Sequence, residues 1–162
     1  MKRAAPGMAG FSLTELMVVV AIVAIVAIVA ILAAVAYPGY QARVRTGRRS
    51  DAKAELMRLA QYMERIYTES GCYDAGADMT CGTGSPIASD DDGDMNVEVE
   101  GYAFTFSAGP TASRYTIRAT PTVGGVQDGD GWLELNELGE RRWDENNDGD
   151  AEDAGENDWE RG

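Results

Sequence analysis

The sequence predicts an α+β fold, one long N-terminal helix followed by an antiparallel sheet. Three observations carry this. Residues 16–36 are an unbroken apolar run. Residues 50–68 repeat their apolar positions every three or four residues. Beyond residue 101 the apolar positions alternate instead. Helix first and strands after is an α+β order, and 162 residues suffice for one small domain plus an appendage.

The first element is the run LMVVVAIVAIVAIVAILAAVA, 21 residues from Leu16 to Ala36. As a helix it spans about 31 Å, the thickness of a bilayer's hydrocarbon core. A buried helix of a soluble protein rarely stays apolar all round for so long. A cleavable secretory signal would share the basic start, Lys2 and Arg3. This run is too long for one, and no small-residue cleavage motif follows it. Tyr37 and Tyr40 suit a membrane interface, and Pro38-Gly39 is expected to bend the chain. Glu15 opens the run, where a carboxylate in lipid costs about 2.5–3.5 kcal/mol. A chain that keeps such a charge has a use for it.

The second element is amphipathic. Ala52, Leu56, Leu59/Ala60, Met63 and Ile66/Tyr67 form one stripe, charged residues fill the other face, and the helix should end before Gly71. This stripe is a surface for packing on a sheet. Residues 82–95 are rich in Gly, Ser and Asp and read as a surface loop. Three strands are expected after it. Tyr102, Phe104 and Phe106 share one face, as do Tyr115, Ile117 and Ala119. Leu133 and Leu135 begin the third, with Leu138-Gly139-Glu140 as its turn.

Charge divides the chain. Residues 1–65 hold nine basic and four acidic side chains, a net of +5. Residues 66–162 hold five basic and 23 acidic, a net of −18. Such an acidic part makes a poor phosphate-binding surface, so no direct nucleic-acid partner is expected. Histidine is absent, which removes imidazole-based catalysis and imidazole metal sites. Carboxylates abound without a catalytic pattern, so no enzyme is expected.

Gly10-Phe11-Ser12-Leu13-Thr14-Glu15 followed by Leu16-Met17-Val18-Val19-Val20 resembles the processing site of type IV prepilins. The shared pattern is a short basic leader, a glycine, a phenylalanine and a glutamate five residues into the mature chain. The segments 33–41, 49–56, 61–67 and 115–121 also resemble pilin sequences, most like a minor pilin. One departure is the unit Ala-Ile-Val, repeated three times over residues 21–29. It sets Pro38 about six residues, or about 9 Å of helix, further from the processing point than the family pattern implies.

The resemblance implies a type IV pilin fold in four parts. Residues 1–10 are a leader, 11–38 a transmembrane and filament-core helix, 39–70 its amphipathic half, and 71–162 a periplasmic or extracellular head with an acidic C-terminal segment. It implies cleavage between Gly10 and Phe11 and N-methylation at Phe11. Glu15 would then pair with the terminal amine of a neighbouring subunit during assembly. The implied partners are other pilin subunits, a prepilin peptidase and the inner-membrane pilus assembly machinery. The precursor would span the inner membrane once, head periplasmic, before reaching the pilus and cell surface. Basic residues alone would place the chain the other way round, because Arg43, Arg45, Arg48, Arg49 and Lys53 follow the run. The processing motif is the more specific signal. The basic cluster could face anionic headgroups and later acidic heads, or form a solvated helix face. In the oxidising compartment so implied, Cys72 and Cys81 are expected to form a disulfide. The functional expectation is a structural pilus subunit supporting assembly, twitching motility or adhesion. The alternatives are a type II secretion pseudopilin and a membrane-anchored, calcium-dependent binding module.

The acidic tail holds one candidate ion site. Asp144, Asn146, Asp148 and Asp150 place oxygen ligands at alternate positions before and after Gly149, like the first half of a calcium loop. The closing glutamate is one residue late, at Glu156 instead of position 155. An earlier stretch, Asp128 to Gly131 with Glu137, matches in part but has Val126 at the first ligand position. A set of Asx turns on an acidic surface explains the same spacing, and Trp143 to Gly149 resembles a turn seen in minor pilins. No other cofactor is expected.

Overall fold

The computed structural model describes residues 12–87, 95–153, 155–156 and 158–159. The chain divides into two compact units, Met1–Gln41 and Ala42–Gly162. One helix, α1 (Leu13–Ser70), supplies the described part of the first unit and opens the second. Pro38-Gly39, expected to bend the chain, does not end this helix. Removing one amide donor and one intrahelical bond leaves the flanking turns to hold the helical path.

Within the first unit, every described residue up to position 40 is exposed. This is the apolar run. The helix is long and apolar enough to cross a membrane.

The second unit builds a core on the stripe of α1. Ala52, Leu56, Leu59 and Met63 are buried in one cluster with Tyr102, Phe104, Tyr115, Ile117, Ala119, Leu133, Leu135 and Trp143. Tyr67, named in the expected stripe, is 41% exposed, while Ile66 is buried in a small second cluster with Cys72 and Ala75. The helix stops at Ser70. Gly71 takes a left-handed φ of 83°, and its N–H donates to the Tyr67 carbonyl at 2.8 Å, capping the last turn.

Four strands follow: β1 (Tyr102–Ala108), β2 (Thr116–Pro121), β3 (Leu133–Asn136) and β4 (Arg141–Trp143). They pair antiparallel in chain order, a simple meander. Phe104 sits opposite Ala119, and Ile117 opposite Leu135, so the expected apolar faces coincide across the sheet. Two features differ from the sequence reading. The fourth strand was not foreseen, because Arg141-Arg142-Trp143 has one apolar residue and no visible alternation. Met95, placed in the surface loop, is buried and donates its N–H to the Phe104 carbonyl at 2.6 Å. Residues 88–94 of that loop lie outside the described residues.

Candidate functional site

Glu15 lies in the first turn of α1, exposed, just before a helix surface that is apolar on all sides. Gly10 and Phe11 lie outside the described residues. A helix with this surface cannot be stable in water without a cover, and its covers are lipid or other apolar helices.

The basic stretch after the apolar run has a different task from either one expected. Its side chains are bound to the head of their own chain. Arg45 donates through Nε to the Val126 carbonyl at 2.6 Å. Arg48 pairs with Glu100. Arg49 binds Asp130 with two hydrogen bonds, 3.0 and 2.5 Å, and lies 4.1 Å over the Trp143 ring. Lys53 donates to the Trp159 carbonyl at 2.5 Å. Arg43 alone in the cluster is exposed with no such bond among the described residues. The headgroup reading and the solvated-face reading therefore give way to an intramolecular clamp.

Asp130 is the centre of that clamp. Its carboxylate also accepts from the Tyr102 hydroxyl at 2.7 Å and from the Gln127 amide at 3.1 Å. The Trp143 indole donates to its main-chain carbonyl at 3.0 Å. Burial opposes the Arg49 cation, but hydrogen bonding and the charge of Asp130 outweigh it and hold the guanidinium above its ordinary pKa. Burial, and then the neighbouring Arg49 charge, push the Lys53 amine down. Burial and the bond to Asp130 push the Tyr102 phenol up. Gly131, beside Asp130, has a φ of 72° and meets the Asp144 backbone so closely that no side chain fits.

Cys72 and Cys81 are joined in a disulfide, with Cα atoms 5.9 Å apart. The bridge closes the turn that follows α1.

The acidic tail folds as a chain of Asx turns. Asp144 is fully buried, and its two carboxylate oxygens accept the N–H groups of Asp148 and Gly149 at 3.0 and 3.1 Å. Asn146 Oδ1 also accepts from Asp148 N–H, Asp148 from Asp150 N–H, and Asp150 from Glu152 N–H. Glu156, the late glutamate, is 3% exposed and accepts from Glu145 and Asp153 N–H groups instead. Among the described residues, one cluster of acidic or thiol groups has its ligand atoms within 4.8 Å of one another, namely Cys72, Asp74 and Cys81, and both sulfurs there are in the disulfide. The tail also reaches back to the core. Trp159 is buried and donates its indole N–H to the Arg142 carbonyl at 3.0 Å.

An open groove of about 480 Å³ runs between α1 and the β3–β4 turn, lined in part by Met57, Gln61, Glu64, Tyr115 and Leu138. Its carboxylates are engaged: Glu64 accepts from the Tyr73 hydroxyl at 2.8 Å and Glu137 from the Tyr115 N–H at 3.3 Å.

Sequence reasoning missed Asp130 as the clamp and Glu156 and Trp159 as buried tail residues. The only available signal was that two tryptophans stood among acids in a tail otherwise read as solvated.

The known proteins similar to this chain are pilins. The family model described as the type IV minor pilin ComP, DNA uptake sequence receptor, matches residues 38–131, more than half of the chain. Among solved structures, the non-core minor pilin PilV of Neisseria meningitidis is similar at 22% identity over 61% of this chain and 85% of that one, with a TM-score of 0.44. A type IV pilin from Shewanella oneidensis is similar at 29% identity over 60% of this chain and 89% of that one, with a TM-score of 0.36. No curated protein matches. By the span of the family model, from Pro38 through the clamp residues to Gly131, this chain belongs to the type IV minor pilin family of ComP.

Proposed function

We propose that this chain is a minor subunit of a type IV pilus, held in the inner membrane as a precursor and built into the filament through its N-terminal helix. The observation that carries the reading is the exposed, all-round apolar surface of α1 up to position 40, with the single carboxylate of Glu15 at its start. Lipid covers this surface before assembly, and neighbouring helices cover it afterwards. Prepilin peptidase removes residues 1–10, and the new amine of Phe11 is methylated. In a water-free filament core an unpaired Glu15 is costly, so it pairs with the Phe11 amine of a neighbour and sets axial register. The four-part division at residues 10, 38 and 70 belongs to this reading, as do the periplasmic head, the assembly machinery and an output in twitching or adhesion. The role is structural, not enzymatic. Mass spectrometry of the mature N-terminus tests it. A chain beginning at N-methylated Phe11 is expected, and one that keeps Met1 or begins elsewhere overturns it.

The description of the family model favours a second reading, a receptor for DNA. The head argues against it. Residues 42–162 carry 12 basic and 26 acidic side chains, and of the basic residues that follow α1's apolar run, Arg45, Arg48, Arg49 and Lys53 are already paired internally, leaving Arg43. Phosphates would meet few free cations. Gel retardation of duplex DNA at low salt separates the two readings. No shift is expected, and a sequence-dependent shift would establish the receptor. A type II pseudopilin would share the processed N-terminus but be recovered from secretion complexes instead of pili.

A further inference from the structure

The disulfide has a charged neighbour that none of the functions above uses. A carboxylate oxygen of Asp74 lies within 4.8 Å of both the Cys72 and Cys81 sulfurs. Asp74 Oδ1 is buried and has no hydrogen-bond partner among the described residues. The two sulfurs differ in access, since Cys72 is 1% exposed while Cys81 is open to solvent. Ser70 is also beside the bridge: its hydroxyl oxygen is 3.6 Å from the Cys72 sulfur and its carbonyl 3.7 Å from that of Cys81. The Ser70 hydroxyl also bonds the Ile66 and Cys72 carbonyls, so its proton is already in use.

We propose that Asp74 is an electrostatic guard on the Cys72–Cys81 bond, which slows its reduction by anionic thiols such as glutathione. Reduction begins when a thiolate attacks the accessible Cys81 sulfur. A sulfur–sulfur bond forms to the reductant, the Cys72–Cys81 bond breaks, and its electron pair leaves on the Cys72 sulfur, which takes a proton from water. A second thiolate then attacks the mixed disulfide, releasing Cys81 as a thiol and the reductant as its own disulfide. Two electrons pass from two reductant thiols to the bridge. In the first step negative charge arrives at one sulfur and develops on the other, and Asp74 is close to both. A carboxylate with no hydrogen bond on one buried oxygen keeps more of its field than a solvated one. The guard acts twice, by repelling the incoming anion and by disfavouring the leaving Cys72 thiolate.

The test uses the full-length protein in detergent micelles. Rates of reduction by cysteamine, a cationic thiol, and by 3-mercaptopropionate, an anionic one, are measured per thiolate. Each is referenced to a neutral small-molecule disulfide. The native bridge should prefer cysteamine by about tenfold, and Asp74→Asn should speed the anionic thiol by about tenfold and reduce the preference by at least about threefold. Glu152→Gln removes one charge from the distant tail and should leave both rates within about twofold. Equal rates for Asp74→Asn and the native chain would overturn the guard. So would Glu152→Gln matching Asp74→Asn, because the net charge of the head would then be the cause. Should Asp74→Asn fail to form the bridge, the native protein decides: a referenced ratio near one overturns the proposal.

Discussion

Asp130 shows how much one side chain can hold. It is 7% exposed and takes hydrogen bonds from Arg49, Tyr102 and Gln127, which joins α1 to the β2–β3 connection and to the start of β1. Asp130→Ala would leave Arg49 charged and unpaired with its side chain 12% exposed. The expected loss is about 3–5 kcal/mol in urea unfolding of the full chain. Glu55→Ala removes the half-buried i,i+3 partner of the exposed Arg58 and should cost no more than about 0.5 kcal/mol. The buried phenols make a second, pH-dependent prediction. Burial, then the charges of Glu64 and Glu137, push Tyr115 up to about 12. Its folded pKa lies above the unfolded value of about 10, so the folded chain holds this proton where the unfolded chain has lost it. That stability is complete below pH ~10 and disappears as the pH rises through about 12. Tyr115→Phe has no such proton to lose. The gap between the two urea midpoints should stay constant up to pH ~10 and then move in favour of the variant. A gap that does not change with pH would contradict the assignment.

Two loops behave as separate elements. The disulfide closes a short ring between positions 72 and 81. Replacing both cysteines by serine should lower stability by about 2–3 kcal/mol while the sheet's circular dichroism is retained. The acidic tail should not respond to calcium. Asp144 is fully buried, and among the described residues of the tail no three carboxylates have ligand atoms within 4.8 Å of one another. The thermal midpoint is expected to be the same in calcium and in chelator, and a rise with calcium would revive the ion site. The spacing of acids at alternate positions suited both outcomes equally. An Asx turn and a calcium loop use the same oxygens, which have lone pairs enough for both, so the titration with calcium decides between them.

Assembly concerns the full chain. Glu15→Val should leave membrane insertion intact, since it removes a cost of about 2.5–3.5 kcal/mol in lipid. It should nonetheless impair incorporation into filaments, read as the amount of this subunit in sheared pili. Normal recovery of the variant would show that register does not depend on the charge. Residues 42–162 have a net charge of −14, and seven of their twelve basic residues lie on α1. The pairing of Arg45, Arg49 and Lys53 with Val126, Asp130 and Trp159 secures sheet and tail to α1.

The sequence alone determined the long helix, its division into an all-apolar and an amphipathic part, and the first three strands. These are periodic signals, written in neighbouring residues and readable without knowing where the chain folds. It could also pair the cysteines, since there are only two. Tertiary structure alone decided which charges meet. Arg49 and Asp130 are 81 positions apart, and Lys53 and Trp159 are 106 apart. No local pattern encodes such pairs, and a basic cluster reads the same whether it faces lipid, solvent or its own head. The fourth strand and the buried tail were hidden for the same reason: β4 exists because β3 offers it an edge, and Trp159 is buried because α1 and β4 leave it a place.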